Sequence, residues 1–374
     1  MLSRLLSFNF ASFKSHKHFI LFNLLLIPMS RKKLFSLIVF GLLSAHAVFS
    51  QSTATFTNPL LPTGPDPWVI HKDGFYYYCH TTGKNITLWK TKNLAELSKT
   101  EGHVVWTPPA TGNYSKELWA PELHFLNGKW YVYVAADDGK NDNHRMWVLE
   151  NPDAEPTTTN WTLKGQITDP TNRWAIDMSI FELNKQLYGI WSGWEGAENV
   201  SQNIYIAKLK NPWTIEGTRT KIASPEYSWE KMGSGNTLPV VNEGPQFLRQ
   251  SGNSKKVFIV FSASGCWTDN YTLGLLEADA KADLMKASSW KKSTEPIFKG
   301  NPEGKAFAPG HNSFFQSPDG KEHWIIYHAN PEANQGCGNK RSPRMQPFTW
   351  NANGTPNLGA PVALGQEIRQ PSGQ

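Results

Sequence analysis

The chain has 374 residues and a formal net charge of +6, with a pI of about 9.0. This whole excess lies in the first fifty residues, which contain six basic residues and no acidic one. The remaining 31 basic residues balance the 31 acidic ones, so the main part of the chain is neutral. We therefore expect neither nucleic acid nor a membrane surface as a partner.

The N-terminal segment predicts export. Residues 29–50 read MSRKKLFSLIVFGLLSAHAVFS, in which a basic start precedes an apolar run and a small-residue region, as in secretory signal peptides. We expect a secreted or periplasmic protein that begins at Gln51 and has no membrane attachment after cleavage. Residues 1–28 would then be a mis-assigned extension before the true initiator, Met29. The alternative is an N-terminal anchor that includes both apolar runs.

The rest of the chain repeats one hairpin plan five times. Each copy begins with a polar residue, crosses a turn rich in Gly, Asn, Asp or Lys, and returns through a strand of Tyr, Trp, Ile and Val. The opening residues are Asp66, Glu122, Asp177, Glu243 and His311. Their spacing of about 55 to 70 residues matches one four-stranded propeller blade with its loops.

This recurrence predicts an all-β fold, a five-bladed β-propeller formed by residues 51–374 as a single domain, and we expect a monomer. If each hairpin is the inner half of a blade, its first strand lines the central axis, and the five opening residues converge on one pocket. The alternative is a β-sandwich in which the acidic residues are turn residues facing water. Acidic residues are poor strand formers. A β-sandwich gives no reason for them to recur at the start of each hairpin, so the recurrence favours the propeller.

Carboxylates and aromatic residues are the main candidates for a functional site. The sequence has no GxSxG elbow, Walker loop, GxGxxG before a helix, or HExxH motif. Cleavage of a glycosidic bond needs one protonated carboxyl group and one charged carboxylate, and Asp66, Asp177 and Glu243 occupy equivalent blade positions. Among the sixteen tryptophans, Trp119 and Trp194 lie near strand entrances and could stack on a sugar, although a role in the core between blades is the alternative.

Several motifs in order resemble those of glycoside hydrolase family 43, five-bladed propeller enzymes that act on arabinan and xylan side chains. They are GPDPW, ELWAPELH, WAIDMSIF, VNEGPQ, SASGCW and PGHNSF, between about Asn58 and Pro361. The resemblance implies that Asp66 in the first blade is the general base and Glu243 in the fourth blade is the general acid. It implies that Asp177 in the third blade tunes the pKa of the acid and orients it.

The resemblance also suggests further site residues. Arg344 in RSPRMQPF is expected to reach the sugar near the base, with a surface ion pair as the alternative, and Ile176 is expected to contact the substrate. His311 is expected to project into the central channel, where family members often hold a water-ligated ion, so the resemblance allows one structural calcium ion. One histidine is a poor calcium ligand, and an axial histidine bonded to water alone is the alternative. The chemistry itself requires no cofactor.

Within the family, WAPELH, WSGWEG and SASGCWT most resemble the exo-acting α-L-arabinofuranosidases. The implied function is an inverting hydrolase that releases terminal α-L-arabinofuranosyl units from plant cell-wall arabinan, arabinoxylan-type polysaccharides or oligosaccharides. The alternatives are a β-xylosidase, an endo-1,5-α-L-arabinanase, or a non-catalytic sugar-binding propeller, against which the three acids argue. Cys266 and Cys337 each follow a late-blade strand, and a disulfide between them is one option in an exported protein.

Overall fold

The structure is a computed structural model that describes residues 54–374, except 236 and 253. The predicted extension, the signal segment and the mature start at Gln51 lie outside the described residues. The strands are β1 (Thr55–Thr57), β2 (Trp68–Lys72), β3 (Phe75–Cys79), β4 (Ile86–Thr91), β5 (Gly102–Trp106), β6 (Lys116–Leu126), β7 (Lys129–Asp137), β8 (Arg145–Asn151), β9 (Thr162–Ile167), β10 (Ala175–Leu183), β11 (Gln186–Trp194), β12 (Ser201–Asn211), β13 (Thr214–Ala223), β14 (Val240–Leu248), β15 (Lys256–Ala263), β16 (Thr272–Asp279), β17 (Lys291–Lys292), β18 (Phe307–Gln316), β19 (His323–Asn330), β20 (Ser342–Trp350), β21 (Pro356–Asn357) and β22 (Glu367–Arg369).

These strands form five antiparallel four-stranded blades, which confirms the predicted propeller. The blades follow the chain as β2–β5, β6–β9, β10–β13, β14–β17 and β18–β21. A short parallel contact between β12 and β14 joins the third blade to the fourth. Strand β1 pairs with β22, so the two ends of the described chain meet outside the blades. Within this part of the chain the helices are short 3-10 turns: Leu94–Lys99, Asn141–Asn143, Ser228–Glu230 and Ala287–Ser289.

Tight turns set the register of the inner hairpins. The β2–β3 turn is Asp73-Gly74 and the β6–β7 turn is Asn127-Gly128, with φ between 50° and 79° at all four residues. Two successive residues with positive φ match the right-handed twist of the flanking strands, and Asp, Asn and Gly adopt them most readily. Because these turns fix the pairing, they also fix which residues of each inner strand face the axis.

Among the described residues, the hydrophobic core lies between neighbouring blades as six clusters, two of which lie between the second and third blades. Each cluster joins two successive blades, and the cluster of Tyr76, Tyr78, Phe315 and Trp324 closes the ring between the fifth blade and the first. Large aromatic side chains dominate this packing, and full burial of one such side chain contributes about 1.5–3 kcal/mol. The blades therefore support each other around the axis. Among the described residues, none of the helices is long and apolar enough to cross a membrane.

Candidate active site

A cleft of about 540 Å³ opens at the end of the axis where the inner strands begin. Its floor comes from the starts of these strands, and its walls come largely from the loops between the second and third strands of the blades. The lining residues are Pro65, Asp66, Thr81, Thr82, Gly83, Glu117, Trp119, Asn141, Trp174, Ile176, Asp177, Asn199, Gln202, Leu238, Pro239, Glu243, Cys266, Trp267, His311, Cys337, Asn339 and Arg341. The three predicted catalytic carboxyl groups thus meet in one cleft.

Irregular backbone at the start of each inner strand directs side chains into this cleft. Asp66, Ala120, Asp177, Gly244 and His311 have φ between 45° and 59°. In four of the five strands the pairing register also shifts here, as at a β-bulge. A left-handed backbone at a residue other than glycine costs about 1–3 kcal/mol, and such residues cluster at functional sites. The five strands thus share one departure from regular geometry, and it lies at the cleft.

Asp66 is surrounded by groups that favour its charged form. Arg341 donates to Oδ1 at 3.0 Å, Thr81 donates to Oδ2 at 2.6 Å, and Nδ1 of His311 lies 3.3 Å from Oδ1. Burial alone would raise the pKa of Asp66, but Arg341 and the neighbouring histidines hold it well below its ordinary value. Asp66 therefore remains a carboxylate at any working pH, as a general base requires.

Asp177 and Glu243 have the opposite electrostatics. Burial raises the pKa of Asp177 well above its ordinary value, and the negative charge of Glu243 raises it further. Burial also raises the pKa of Glu243 to about 7, although a hydrogen bond from Tyr271 opposes this shift. Repulsion between two carboxylates keeps a proton on the pair, whose two ionisations belong to both groups. The cleft therefore holds a charged carboxylate and, below about pH 7, a protonated acid.

A hydrogen bond between the third and fourth blades holds Asp177 next to Glu243. The backbone N–H of Gly244 donates to Oδ2 of Asp177 at 2.9 Å, so Asp177 is tied to the residue that follows Glu243. A Cβ atom at Gly244 would come within 3.3 Å of the His311 ring, and the backbone there has φ of 54°. Glycine at this position thus allows the bulge that joins the two acids.

The two predicted tryptophans differ in their position relative to the cleft. Trp119 lines the cleft and stacks on His144, with ring centroids 4.0 Å apart. His144 is fully buried and lies 2.9 Å from Asp137, which fixes the ring beneath Trp119. Trp194 is only 2% exposed and does not line the cleft. Its ring stacks on Trp174, 5.0 Å away and nearly parallel, and Trp174 is the residue that forms the wall. The expectation that Trp194 faces the cleft is therefore wrong, and Trp174 is the residue of this stacked pair that faces it.

The arginine prediction is also corrected. Arg344 is fully buried outside the cleft, and its guanidinium donates to the backbone carbonyls of Lys305 and Ala329. Arg341, three residues earlier, is the arginine that lines the cleft and pairs with Asp66. Positions three apart on an extended chain point to opposite faces, which separates the two side chains. Ile176, by contrast, lines the cleft as expected.

Four of the five opening residues reach the cleft, and the fifth lies deeper on the axis. Glu122 is 3% exposed, contacts His124 at 3.0 Å and accepts a hydrogen bond from Gln246. It lines a separate small cavity below the cleft, together with Asp66 and His311. The expectation that all five converge on one pocket is therefore wrong for Glu122.

The surroundings of His311 do not form a calcium site from side chains alone. Within the described residues, no group of three or more His, Cys, Asp or Glu side chains could hold a metal ion. Burial lowers the pKa of His311, and the positive charge of Arg341 lowers it further. The same charge would oppose a nearby cation. Both side-chain polar atoms of Asn312, beside His311 in the axial cavity, are buried without a partner in the described protein. Such polar atoms suit water, and the structural calcium ion stays a prediction.

The fourth and fifth blades are joined across the rim of the cleft. Cys266 and Cys337 form a disulfide between the β15–β16 and β19–β20 loops, and both residues line the cleft. The same two loops are tied by the backbone N–H of Asn334, which donates to Asp269. The disulfide that the sequence left open is thus present, and it fixes the wall that carries Arg341.

A propeller that places a charged carboxylate and a carboxyl pair sharing one proton in one aromatic cleft has the chemical groups of a glycoside hydrolase. The family described as glycosyl hydrolases family 43 matches residues 56–356. The chain belongs to this family.

Several relatives of the chain carry a named activity. An extracellular exo-α-(1→5)-L-arabinofuranosidase of Streptomyces avermitilis is 42% identical over 332 residues, which are 86% of this chain and 67% of the relative. A protein of the same name from Streptomyces chartreusis is 36% identical, over 76% of this chain and 85% of the relative. The crystal structure of an α-L-arabinofuranosidase from Lactobacillus brevis superimposes with a TM-score of 0.76 at 35% identity, covering 83% of this chain and 98% of that one.

Sequence reasoning missed three residues that contact the catalytic groups: Thr81, Tyr271 and Arg341. Thr81 also accepts a hydrogen bond from the backbone of Ala120, so it links the first two blades at the base of the cleft. Arg341 lies three residues before Arg344, the arginine that the sequence predicted. Tyr271 follows a turn of polar residues, and nothing in its local sequence marks it as a partner of Glu243.

Proposed function

We propose that this chain is an exo-acting, inverting α-L-arabinofuranosidase that releases single terminal α-L-arabinofuranosyl units from arabinan, arabinoxylan-type polysaccharides or their oligosaccharides. The observation that carries the proposal is the electrostatic division of one cleft. Asp66 is held in the charged form by Arg341, while burial raises the pKa of Glu243 to about 7. The named activities of the relatives support the choice of arabinofuranosides.

In the proposed mechanism, Asp66 accepts a proton from a water molecule as this water attacks the anomeric carbon. Glu243 donates its proton to the leaving oxygen of the aglycone, and the bond between this oxygen and the anomeric carbon breaks. Repulsion between Asp177 and Glu243 keeps one proton on this pair of acids. The base and acid come from the first and fourth blades, which are not neighbours in the ring of five. This separation supports attack from the face opposite the leaving group and hence inversion.

The walls of the cleft support release of one unit at a time. Trp119 and Trp174 offer flat faces to the C–H groups of a sugar, and each is backed by a buried ring. On the opposite side, the loops bearing Cys266 and Cys337 cannot separate without breaking the disulfide. A cavity of about 540 Å³ is in the size range of a small-ligand pocket. A closed wall would prevent a polysaccharide from passing through the cleft.

Export and the absence of a cofactor belong to the same proposal. Two relatives are named extracellular, and the disulfide favours an oxidising compartment. The proposed chemistry uses carboxyl groups and water, with no cofactor.

Product analysis tests the proposal. The chain should release arabinose as the first product from linear arabinan, debranched arabinan and arabinoxylan, and should leave xylo-oligosaccharides intact. Early di- and trisaccharides from arabinan would indicate an endo-arabinanase, and xylose from xylo-oligosaccharides would indicate a β-xylosidase. Sugar binding without any product would indicate a non-catalytic propeller.

Two variants test the catalytic assignment in the same assay. Asp66→Ala should lose activity on all substrates, because the attacking water loses its base. Glu243→Ala should lose about 10²–10⁴-fold on arabino-oligosaccharides, in line with the usual contribution of general acid catalysis. Glu243→Ala should lose far less on 4-nitrophenyl α-L-arabinofuranoside, whose leaving group needs little protonation. Equal losses on both substrates would contradict the role of Glu243.

A further inference from the structure

Glu243 has one hydrogen-bond partner that the mechanism has not used. The hydroxyl of Tyr271 donates to Oε1 of Glu243 at 2.7 Å. Tyr271 is 1% exposed and directly precedes β16, whereas Glu243 lies on the bulge of β14. The two residues are 28 apart in sequence and meet across the strand between them. A buried donor this close to a partly exposed acid fixes one of its two oxygens.

Tyr271 is the donor in this hydrogen bond. Burial raises the pKa of Tyr271 well above its ordinary value, and the negative charge of Glu243 raises it further. Tyr271 therefore keeps its own proton at any working pH. That proton points to Oε1 of Glu243.

The protein is built around this position of the tyrosine ring. A Cβ atom at Gly310 would lie 2.4 Å from the Tyr271 ring, so only glycine leaves space for the ring. The Tyr271 ring also stacks on the ring of His328, at an interplanar angle of 8° with centroids 5.7 Å apart. His328 is itself held by the backbone N–H of Asp66, which donates to its Nδ1. The hydroxyl therefore has little freedom to leave Glu243.

We propose that Tyr271 is a positioning residue that selects which oxygen of Glu243 carries the catalytic proton. Oε1 accepts a hydrogen bond from the Tyr271 hydroxyl and acts as the carbonyl oxygen of the acid. The acidic proton of Glu243 therefore resides on Oε2. After Oε2 transfers this proton to the leaving oxygen, Oε1 shares the new negative charge. A hydrogen bond to a charged group is stronger than one to a neutral group, so the contact strengthens as the reaction proceeds. This inference rests on the proposed glycosidase function.

Substitution Tyr271→Phe tests the inference, because it removes the hydroxyl and keeps the ring that fills the space beside Gly310. Tyr327→Phe is the matched control. Tyr327 is also fully buried and donates a hydrogen bond of 3.0 Å, but its acceptor is Gln346, which is outside the cleft. Both variants lose one buried tyrosine hydroxyl. They differ in whether the lost donor served the general acid.

The readout is kcat on two substrates of different leaving-group basicity. For Tyr271→Phe we expect kcat on α-1,5-linked arabinobiose to fall by about 10- to 100-fold, the usual range for a hydrogen bond to a charged group. We expect kcat on 4-nitrophenyl α-L-arabinofuranoside to stay within about threefold, because this leaving group hardly needs the acid. The alkaline limb of the pH profile should move to higher pH, because the carboxylate of Glu243 loses a stabilising donor. Tyr327→Phe should show neither the substrate difference nor the displaced limb.

The outcomes separate the inference from the function on which it rests. Equal losses of Tyr271→Phe on both substrates, with an unmoved alkaline limb, would overturn the inference and leave the proposed function standing. A wild-type protein with no activity on either substrate would overturn the proposed function, and the inference with it. A selective loss on arabinobiose, together with the displaced limb, would support both.

Discussion

Replacement of Glu243 by Gln should reduce the loss in free energy of unfolding that accompanies a rise in pH. The pKa of Glu243 rises from 4.5 to about 7 on folding, mainly because of burial. The unfolded chain ionises first as the pH rises, so the wild-type protein loses stability from about pH 4.5 until the folded pKa near 7 is passed. A difference of about 2.5 in pKa corresponds to about 3 kcal/mol. Because Glu243 keeps part of its surface in the cleft, solvent screening reduces the expected loss to about 1–3 kcal/mol.

Chemical denaturation at about pH 4 and about pH 8 measures this loss. The free energy of unfolding of Glu243→Gln, minus that of the wild type, should be about 1–3 kcal/mol larger at the higher pH, because the amide has no charge to bury. Titrating groups outside the pair largely cancel in this comparison. Asp177 does not cancel, because its pKa falls when the charge of Glu243 is removed, and this change enlarges the difference in the same direction. A difference that does not change between the two pH values would refute the raised pKa of Glu243. A difference that falls would mean that the carboxylate is stabilised in the cleft.

Three further substitutions probe the surroundings of the catalytic groups. Asp177→Asn should move the alkaline limb of kcat to lower pH, because the pair of acids loses the mutual repulsion that keeps one proton on it. An unmoved limb would exclude this role of Asp177. Arg341→Ala should raise the pKa of Asp66 and so move the acidic limb of kcat/KM to higher pH. An acidic limb that stays in place would show that Arg341 does not keep the base charged. The double variant Cys266→Ser/Cys337→Ser should lower the free energy of unfolding by about 2–4 kcal/mol and raise KM for arabino-oligosaccharides, and wild-type stability and KM would show that the disulfide does not hold this wall.

The sequence was sufficient to predict the propeller because local signals repeat at every blade. Asp-Gly and Asn-Gly pairs fix the first two inner hairpins, and a polar residue opens each of the five hairpins. The predicted acids reach the cleft because Asp66 and Asp177 themselves occupy the left-handed position of the bulge. In the second blade, Ala120 occupies that position instead, and Glu122 two residues later points deeper along the axis. The amino-acid pattern does not show which residue of a strand occupies the left-handed position of the bulge.

The remaining errors concern which of two similar residues faces the cleft. Trp174 and Trp194 stack on each other, so one ring necessarily hides the other, and only the packing of the third blade decides which is outside. Arg341 and Arg344 stand three apart, and their faces depend on where β20 begins. Tyr271 reaches Glu243 only through the pairing of β14, β15 and β16. Such contacts between strands depend on tertiary structure, and single-sequence patterns do not encode them.

The stereochemistry of the first-formed sugar tests the central claim most directly. If Asp66 activates water while Glu243 protonates the leaving oxygen, no covalent intermediate forms and the anomeric centre inverts. Proton NMR during early hydrolysis of 4-nitrophenyl α-L-arabinofuranoside should then show β-arabinofuranose before mutarotation produces the other forms. Initial α-arabinofuranose would contradict the account, because retention requires a carboxylate that attacks the sugar itself.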